Sequence, residues 1–240
     1  MNGPKWPQTL GVIALVLSAA ACGDGASPDK IPTADELAAS LVTTDDFEGD
    51  WTILQPPEGS EAPSSGVVPD DERDMLPTFD LCDAASVASR SAGTELQWKA
   101  FRQLDLTEED PIEPPTDRTG HMIFVQEFLT SGEPNAIQTT FELLSDGLQA
   151  CLGDVPADDE GPGTLALMAL PDVGDERLGT LLTIEEDGGW AEWRLHNALV
   201  RDGNVLILLN VVDIRAGDGV EPFYTIDDVG HFVELAISHL

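Results

Sequence analysis

The sequence predicts an α+β fold: a mainly antiparallel sheet with helices packed on one face, in a single domain. Three observations predict it. Apolar stripes at helical spacing, with caps or turn-forming starts, occur early, in the middle and at the end of the chain. The last third runs in strand-length apolar segments, and those segments are joined by hairpin turn chemistry. At 240 residues, 42% of them apolar, the chain can fill one good-sized core, and two large domains are not expected.

Taken in order, the chain begins with one early cation, Lys5, followed by the apolar stretch Leu10 to Leu17 and the small residues Ala19-Ala20-Ala21 before Cys22. This is the three-part layout of a secretory signal over residues 1–21, with an apolar part too short to span a bilayer. A cysteine placed directly after small residues resembles a bacterial lipobox, with Ala19 standing where leucine is usual. The alternative is plain cleavage after Ala21, leaving a secreted chain with a free thiol. Lipidation of Cys22 is the expectation, because residues 22–32 are small, polar and rich in turn formers, as a flexible tether should be. Each buried CH2 adds about 0.8 kcal/mol, so more than one acyl chain makes such an anchor stable.

The domain proper is expected over 33–240. Thr33-Ala-Asp-Glu36 offers a capping box for a short helix carrying Leu37 and Leu41, followed by a turn and the apolar segment around Trp51. Pro56 to Pro77 and Thr107 to Gly120 read as long, acidic, proline-rich loops. A brief helix follows Cys82. A strand from Leu96 alternates, with Leu96, Trp98 and Ala100 on one side, and His121 to Leu129 is the next strand. From Pro134 a helix buries Ile137, Phe141, Leu144, Leu148 and Cys151 at spacings of four, three, four and three. Strands starting at Thr164, Arg177, Trp190 and Asn204 form a meander, with turns at Gly188-Gly189 and Asp202-Gly203-Asn204. Thr225-x-x-Asp228 caps a closing helix with the stripe Val229, Phe232, Val233, Ala236 and Leu240.

The charge balance excludes one class of partner. With 45 acidic against 11 basic residues, the formal charge of −34 repels nucleic acid and bare anionic lipid surfaces, so no nucleic acid is expected as a partner. The acids come in short clusters such as Asp70-Asp71-Glu72 and Glu185-Glu186-Asp187, consistent with a solvated surface. Calcium is the other reading of such clusters, but no segment fits the D-x-[DN]-x-[DN]-G-x5-E loop. With Cys22 taken by lipid, Cys82 and Cys151 remain as an even pair in an oxidising compartment, which reads as one disulfide.

Several residues in order carry a family resemblance. They are the lipobox, Leu41-Val-Thr-Thr-Asp45-Asp-Phe-Glu-Gly49-Asp-Trp51-Thr, a cysteine, a helix ending in a second cysteine (LLSDGLQACLGD), then Leu170-Pro-Asp-Val-Gly174-Asp-Glu176 and a closing helix. The chain from about Pro32 to Leu240 resembles actinobacterial lipoproteins related to the extracytoplasmic sensor domain of PknH-type kinases. That resemblance implies one α+β unit with a cleft, stabilised by disulfides and binding a ligand on the outer face of the membrane. The chain departs from the kinase version in having one candidate disulfide and no kinase domain, so binding rather than signalling output is the part carried over.

No enzyme motif is present: there is no G-x-S-x-G, H-E-x-x-H, P-loop or G-x-G-x-x-G, and no C-x-x-C or H-x-x-x-H for a metal. No catalytic residue, metal or cofactor is therefore expected. The most informative pattern is the strand from Trp190, where Trp193, Leu195 and Leu199 face the core while Trp190, Glu192, Arg194 and His196 share the opposite face. In a chain this poor in cations, an arginine flanked by an acid, an imidazole and an indole can anchor an anionic or polar ligand. The plainer reading is an exposed sheet face with an ion pair. Trp98 and Arg102, on one face of an earlier strand, join that site if the sheet order brings the strands together. The expectation is a non-catalytic, lipid-anchored, extracytoplasmic ligand-binding protein; the alternative is a lipoprotein that docks to an envelope protein or polymer.

Overall fold

The computed structural model describes residues 30–47, 49–53, 65–68, 82–95, 98–106, 120–155, 162–185, 191–216 and 224–240. The signal segment 1–21, Cys22, Trp190, the Gly188-Gly189 turn and most of the two proline-rich loops lie outside these residues. Ile31–Leu240 forms one compact unit.

Its elements are α1 (Ala34–Ala39), β1 (Trp51–Ile53), β2 (Gly66–Val67), α2 (Asp83–Glu95), β3 (Ala100–Leu106), β4 (Gly120–Ser131), α3 (Pro134–Ala150), β5 (Gly153–Val155), β6 (Gly163–Met168), β7 (Glu176–Glu185), β8 (Ala191–Asp202), β9 (Val205–Ala216) and α4 (Ile226–Ser238). All strands pair antiparallel in one sheet of order β1-β3-β4-β9-β8-β7-β6-β5, with β2 sharing the outer edge of β3 beside β1. The α+β antiparallel architecture is the one the sequence predicts.

The helices do not share one face. Leu37 and Leu41 of the α1 segment, with Val229, Phe232, Val233 and Ala236 of α4, pack on one side against Leu104, Val125, Leu129, Ile207, Leu209 and Val211. On the other side Ala85 and Ala92 of α2, with Ile137, Phe141, Leu144 and Leu148 of α3, pack against Phe101, Phe128, Leu199, Leu206 and Leu208. The reason lies in β9. Its run Val205 to Val212 is apolar at nearly every position, so successive side chains fill both faces instead of alternating with solvent.

Local chemistry sets most element ends. Thr33 and Thr225 each accept a hydrogen bond from the N3 amide, while the Glu36 and Asp228 carboxylates accept one from the cap amide. Gly203, at φ 57, makes the tight β8–β9 turn. Four expectations move. Two residues of the first proline-rich stretch form β2, a β5 strand follows α3, and Leu240 lies beyond the end of α4, 36% exposed. The helix after Cys82 is not brief, since α2 spans 13 residues.

Cys82 and Cys151 form a disulfide, with Cα atoms 5.9 Å apart across 69 residues of sequence. It joins the start of α2 to the end of α3, which approach closely because Gly147 has no side chain: a Cβ there would stand 2.5 Å from that of Ala88. Below this layer a polar row crosses five strands in register, Gln103, Gln126, Asn210, Asn197 and Thr180. Gln126 donates to Gln103 at 3.0 Å and Asn197 to Thr180 at 3.3 Å. We expect reduction of the disulfide, or Cys151→Ser, to lower unfolding free energy by about 4 kcal/mol, read from urea midpoints with and without reductant.

Candidate functional site

Glu192, Arg194 and His196 occupy alternate positions of β8, so they share one face, the α1/α4 side on which Ala198 and Val200 continue as core. The register supplies two partners that the sequence reading missed: Arg215 lies opposite Glu192 and Asp213 opposite Arg194 on β9. Glu192 Oε1 accepts from Arg194 Nε at 2.5 Å and also from Arg215 Nη2, so one carboxylate bridges two guanidinium groups. Burial works to raise the Glu192 carboxyl, but the hydrogen bonds and charges of Arg194 and Arg215 outweigh it and hold it below the usual range.

His196 is 2% exposed. Its Nδ1 lies 3.5 Å from Met168 Sδ, and its Nε2 has no hydrogen-bond partner among the described residues. Burial lowers the imidazole pKa; the Asp213 charge opposes this and the Arg194 charge adds to it. The ring is thus sealed beside a thioether, in surroundings that favour its neutral form. Tyr224, packed edge-on against Phe232, has its hydroxyl pKa pushed up by burial and by the nearby Asp228 and Asp213 charges. Together the patch holds two arginines, two acids, one imidazole and one phenol, with charges that balance. Of these, Glu192, Arg194 and, less so, Arg215 keep part of their side chains at the surface, and they are the groups placed to hydrogen-bond a polar molecule.

The residues nominated on β3 do not join this patch. Ala100 begins the strand, so the alternation does not extend back to Trp98, which packs 5.8 Å from Phe128 toward the α2–α3 side. Arg102 points to the other face, where its Nη1 donates to the Val42 carbonyl at 2.9 Å. Two strands intervene between β3 and β8, and the register aligns Arg102 with Ala198, four residues from Arg194. At strand spacings of about 4.8 Å and rises of about 3.3 Å, the two arginines stand roughly 20 Å apart. Trp193 is half-buried and Leu199 fully buried on the α2–α3 side, as the sequence implies.

A separate groove of about 300 Å3 lies between the β6–β7 connection and α4, lined by Leu170, Pro171, Ile226, Asp227, Gly230 and Glu234 among others. Trp98, Arg102, Glu192, Arg194 and His196 do not line it. Its sequence signals, a turn motif and a helix cap, were legible only as local structure. Among the described residues no three His, Cys, Asp or Glu side chains converge to hold a metal ion, and no helix is long and apolar enough to cross a membrane.

No family model matches the chain, and no curated protein matches it. Solved structures to which it is similar include the extracellular domain of PknH from Mycobacterium tuberculosis, at 15% identity and TM-score 0.46, covering 88% of this chain and 95% of that one. Another is an uncharacterized protein, the Rv0999 ortholog from Mycobacterium smegmatis, at 11% identity and TM-score 0.44, covering 89% of this chain and 98% of that one. Likeness at this level concerns fold, and the functional reading rests on residues of this chain.

Two titrations check the patch. The His196 ring, followed by NMR, is expected to protonate at a lower pH than an ordinary histidine. Because the Glu192 pKa is depressed in the fold, its stabilisation is present above the unfolded value and lost as pH falls through the folded one. Glu192→Gln should therefore cost about 1 kcal/mol near pH 7 and progressively less as pH falls below the ordinary carboxylate range, measured by urea unfolding.

Proposed function

We propose that the chain is a non-catalytic, lipid-anchored, extracytoplasmic sensor-like domain of a bacterial cell envelope that binds a polar ligand. The observation that carries the location is the Cys82–Cys151 disulfide. Such bonds persist in oxidising compartments, and this one accounts for two of the three cysteines. Cys22, directly after a secretory-type leader and before a polar tether, is left for the lipid. The net negative charge then stands the domain off an anionic surface.

For the ligand, the supporting feature is the Glu192–Arg194–Arg215 bridge with His196 and Asp213 beside it. A second reading, docking to an envelope protein or polymer without a small-molecule pocket, is favoured by one specific observation: the β3 and β8 residues do not converge and the described groove contains none of them.

The anchor is tested by fractionation. The native chain should sediment with membranes and accumulate as precursor under globomycin, whereas Cys22→Ser should be released; a wild-type chain already soluble and indifferent to the drug would remove the anchor. The ligand reading is tested by a melting-temperature screen of envelope metabolites. A hit that stabilises the wild type by several degrees and leaves Arg194→Gln unmoved supports binding at this patch, and a stabilising effect equal in both places the ligand elsewhere.

A further inference from the structure

The first described segment of the fold is fastened to the sheet at two polar points. At its start, the Pro32 carbonyl accepts from Ser131 Oγ at 2.6 Å, and Lys99 Nζ steadies Ser131 through its carbonyl and hydroxyl. Ten residues on, both backbone groups of Val42 are held: its N–H donates to Glu127 Oε2 at 2.7 Å, and its carbonyl accepts from Arg102 Nη1 at 2.9 Å. Arg102 and Glu127 are directly opposed across β3 and β4. Between the two fastenings only Leu37, Leu41 and Val42 are buried apolar anchors. A helix as short as α1, six residues, has little stability off the surface, so its order depends on these contacts.

Glu127 is the unusual member. It is fully buried, and its Oε1 has no hydrogen-bond donor among the described residues, as Arg102 Nε has no acceptor. The groups facing the carboxyl are the Arg102 guanidinium from β3, the Val42 amide, and the Asp46 carboxylate from the 3-10 turn Thr44–Asp46; His239 beyond α4 lies 3.4 Å from Asp46, and Leu209 stands opposite Glu127 on β9. A carboxylate with one oxygen unserved and a second carboxylate nearby is costly to keep charged in such a place.

We propose that residues 31–43 form a releasable strap, pinned by Ser131 at one end and by the Arg102–Glu127 pair on the Val42 peptide at the other, and that ionisation of Glu127 loosens it. The direction follows from linkage. Burial raises the Glu127 pKa to about 7, with the Val42 bond and Arg102 opposing and Asp46 adding. In the opened strap the carboxyl regains water and its ordinary value. The seated form therefore binds the proton more tightly, and opening grows easier as pH rises from the ordinary carboxyl value to about 7, then levels off. The device is independent of the anchoring reading, although it sits where the polar tether enters the fold.

Amide hydrogen exchange on the mature domain tests it, with rates corrected for intrinsic pH chemistry. The opening constants of Leu41, Val42 and Thr43 should rise by up to about tenfold per pH unit between about pH 5 and pH 6.5 and flatten above about pH 7.5. Glu127→Gln, which keeps an acceptor for the Val42 amide, should abolish the slope. Ser131→Ala should raise strap opening about fivefold at every pH while keeping the wild-type slope. The idea is overturned if the strap amides exchange only as fast as Leu206 to Val211 of β9, which means global unfolding, or if the slope survives in Glu127→Gln.

Discussion

Strand β9 is covered on both faces, and every other element is placed by that burial. It pairs with β4 and β8 along its whole length, so its backbone groups are satisfied on both sides before any side chain is considered. Its odd positions then lie under α1 and α4 and its even positions under α2 and α3. A slip of one residue would exchange these sets and drive Asp213 and Asn210 into the wrong layers. The polar residues on these central strands are tolerated because register supplies partners or opposite charges: Arg194 across from Asp213, Arg102 across from Glu127, Asn197 beside Thr180.

The motifs that carry the family resemblance turn out to shape the chain. In the first, Thr43 and Asp46 form a reciprocal cap, Gly49 takes φ 116, and Phe47 and Trp51 pack together near Phe232 and Tyr224. In the second, Gly174 adopts φ 66 with Val200 and the Arg201 carbonyl so near that a Cβ would lie under 3 Å from both. Asp175 and Glu176 then grip Arg201, and Asp175 also accepts the Gly203 amide of the β8–β9 turn. Both motifs thus report a way of folding, and the residues proposed to meet a ligand lie outside them.

What could be read from residues alone follows the range of the physics involved. Caps, the α3 stripe, the β8–β9 turn and the cysteine pair depend on neighbours or on simple counting, and each is found as expected. The sharing of one face by Glu192, Arg194 and His196 needed only the period of a strand. Arg215 and Asp213 were out of reach because their position depends on β9 lying next to β8 in a set register. Arg102 was misread for the same reason: its partner, the Val42 carbonyl, lies 60 residues away, and no local pattern points there. The two-sided distribution of helices was written in the nearly continuous apolar run of β9, which a meander reading treats as one more hairpin strand.

The two sides of the sheet also differ in how they resist a load. On the α2–α3 side, a covalent bridge and a close helix contact at Gly147 and Ala88 bolt two helices into a plate that cannot slide. On the opposite side the leading segment is held by individual hydrogen bonds met one after another, Ser131 first and then Glu127 and Arg102. Tension arriving through Ile31 would therefore meet them in series, as in peeling, where bonds yield singly, while the plate would take the same force in shear across many contacts at once. The molecule is mechanically handed: soft where the chain enters, stiff on its far face.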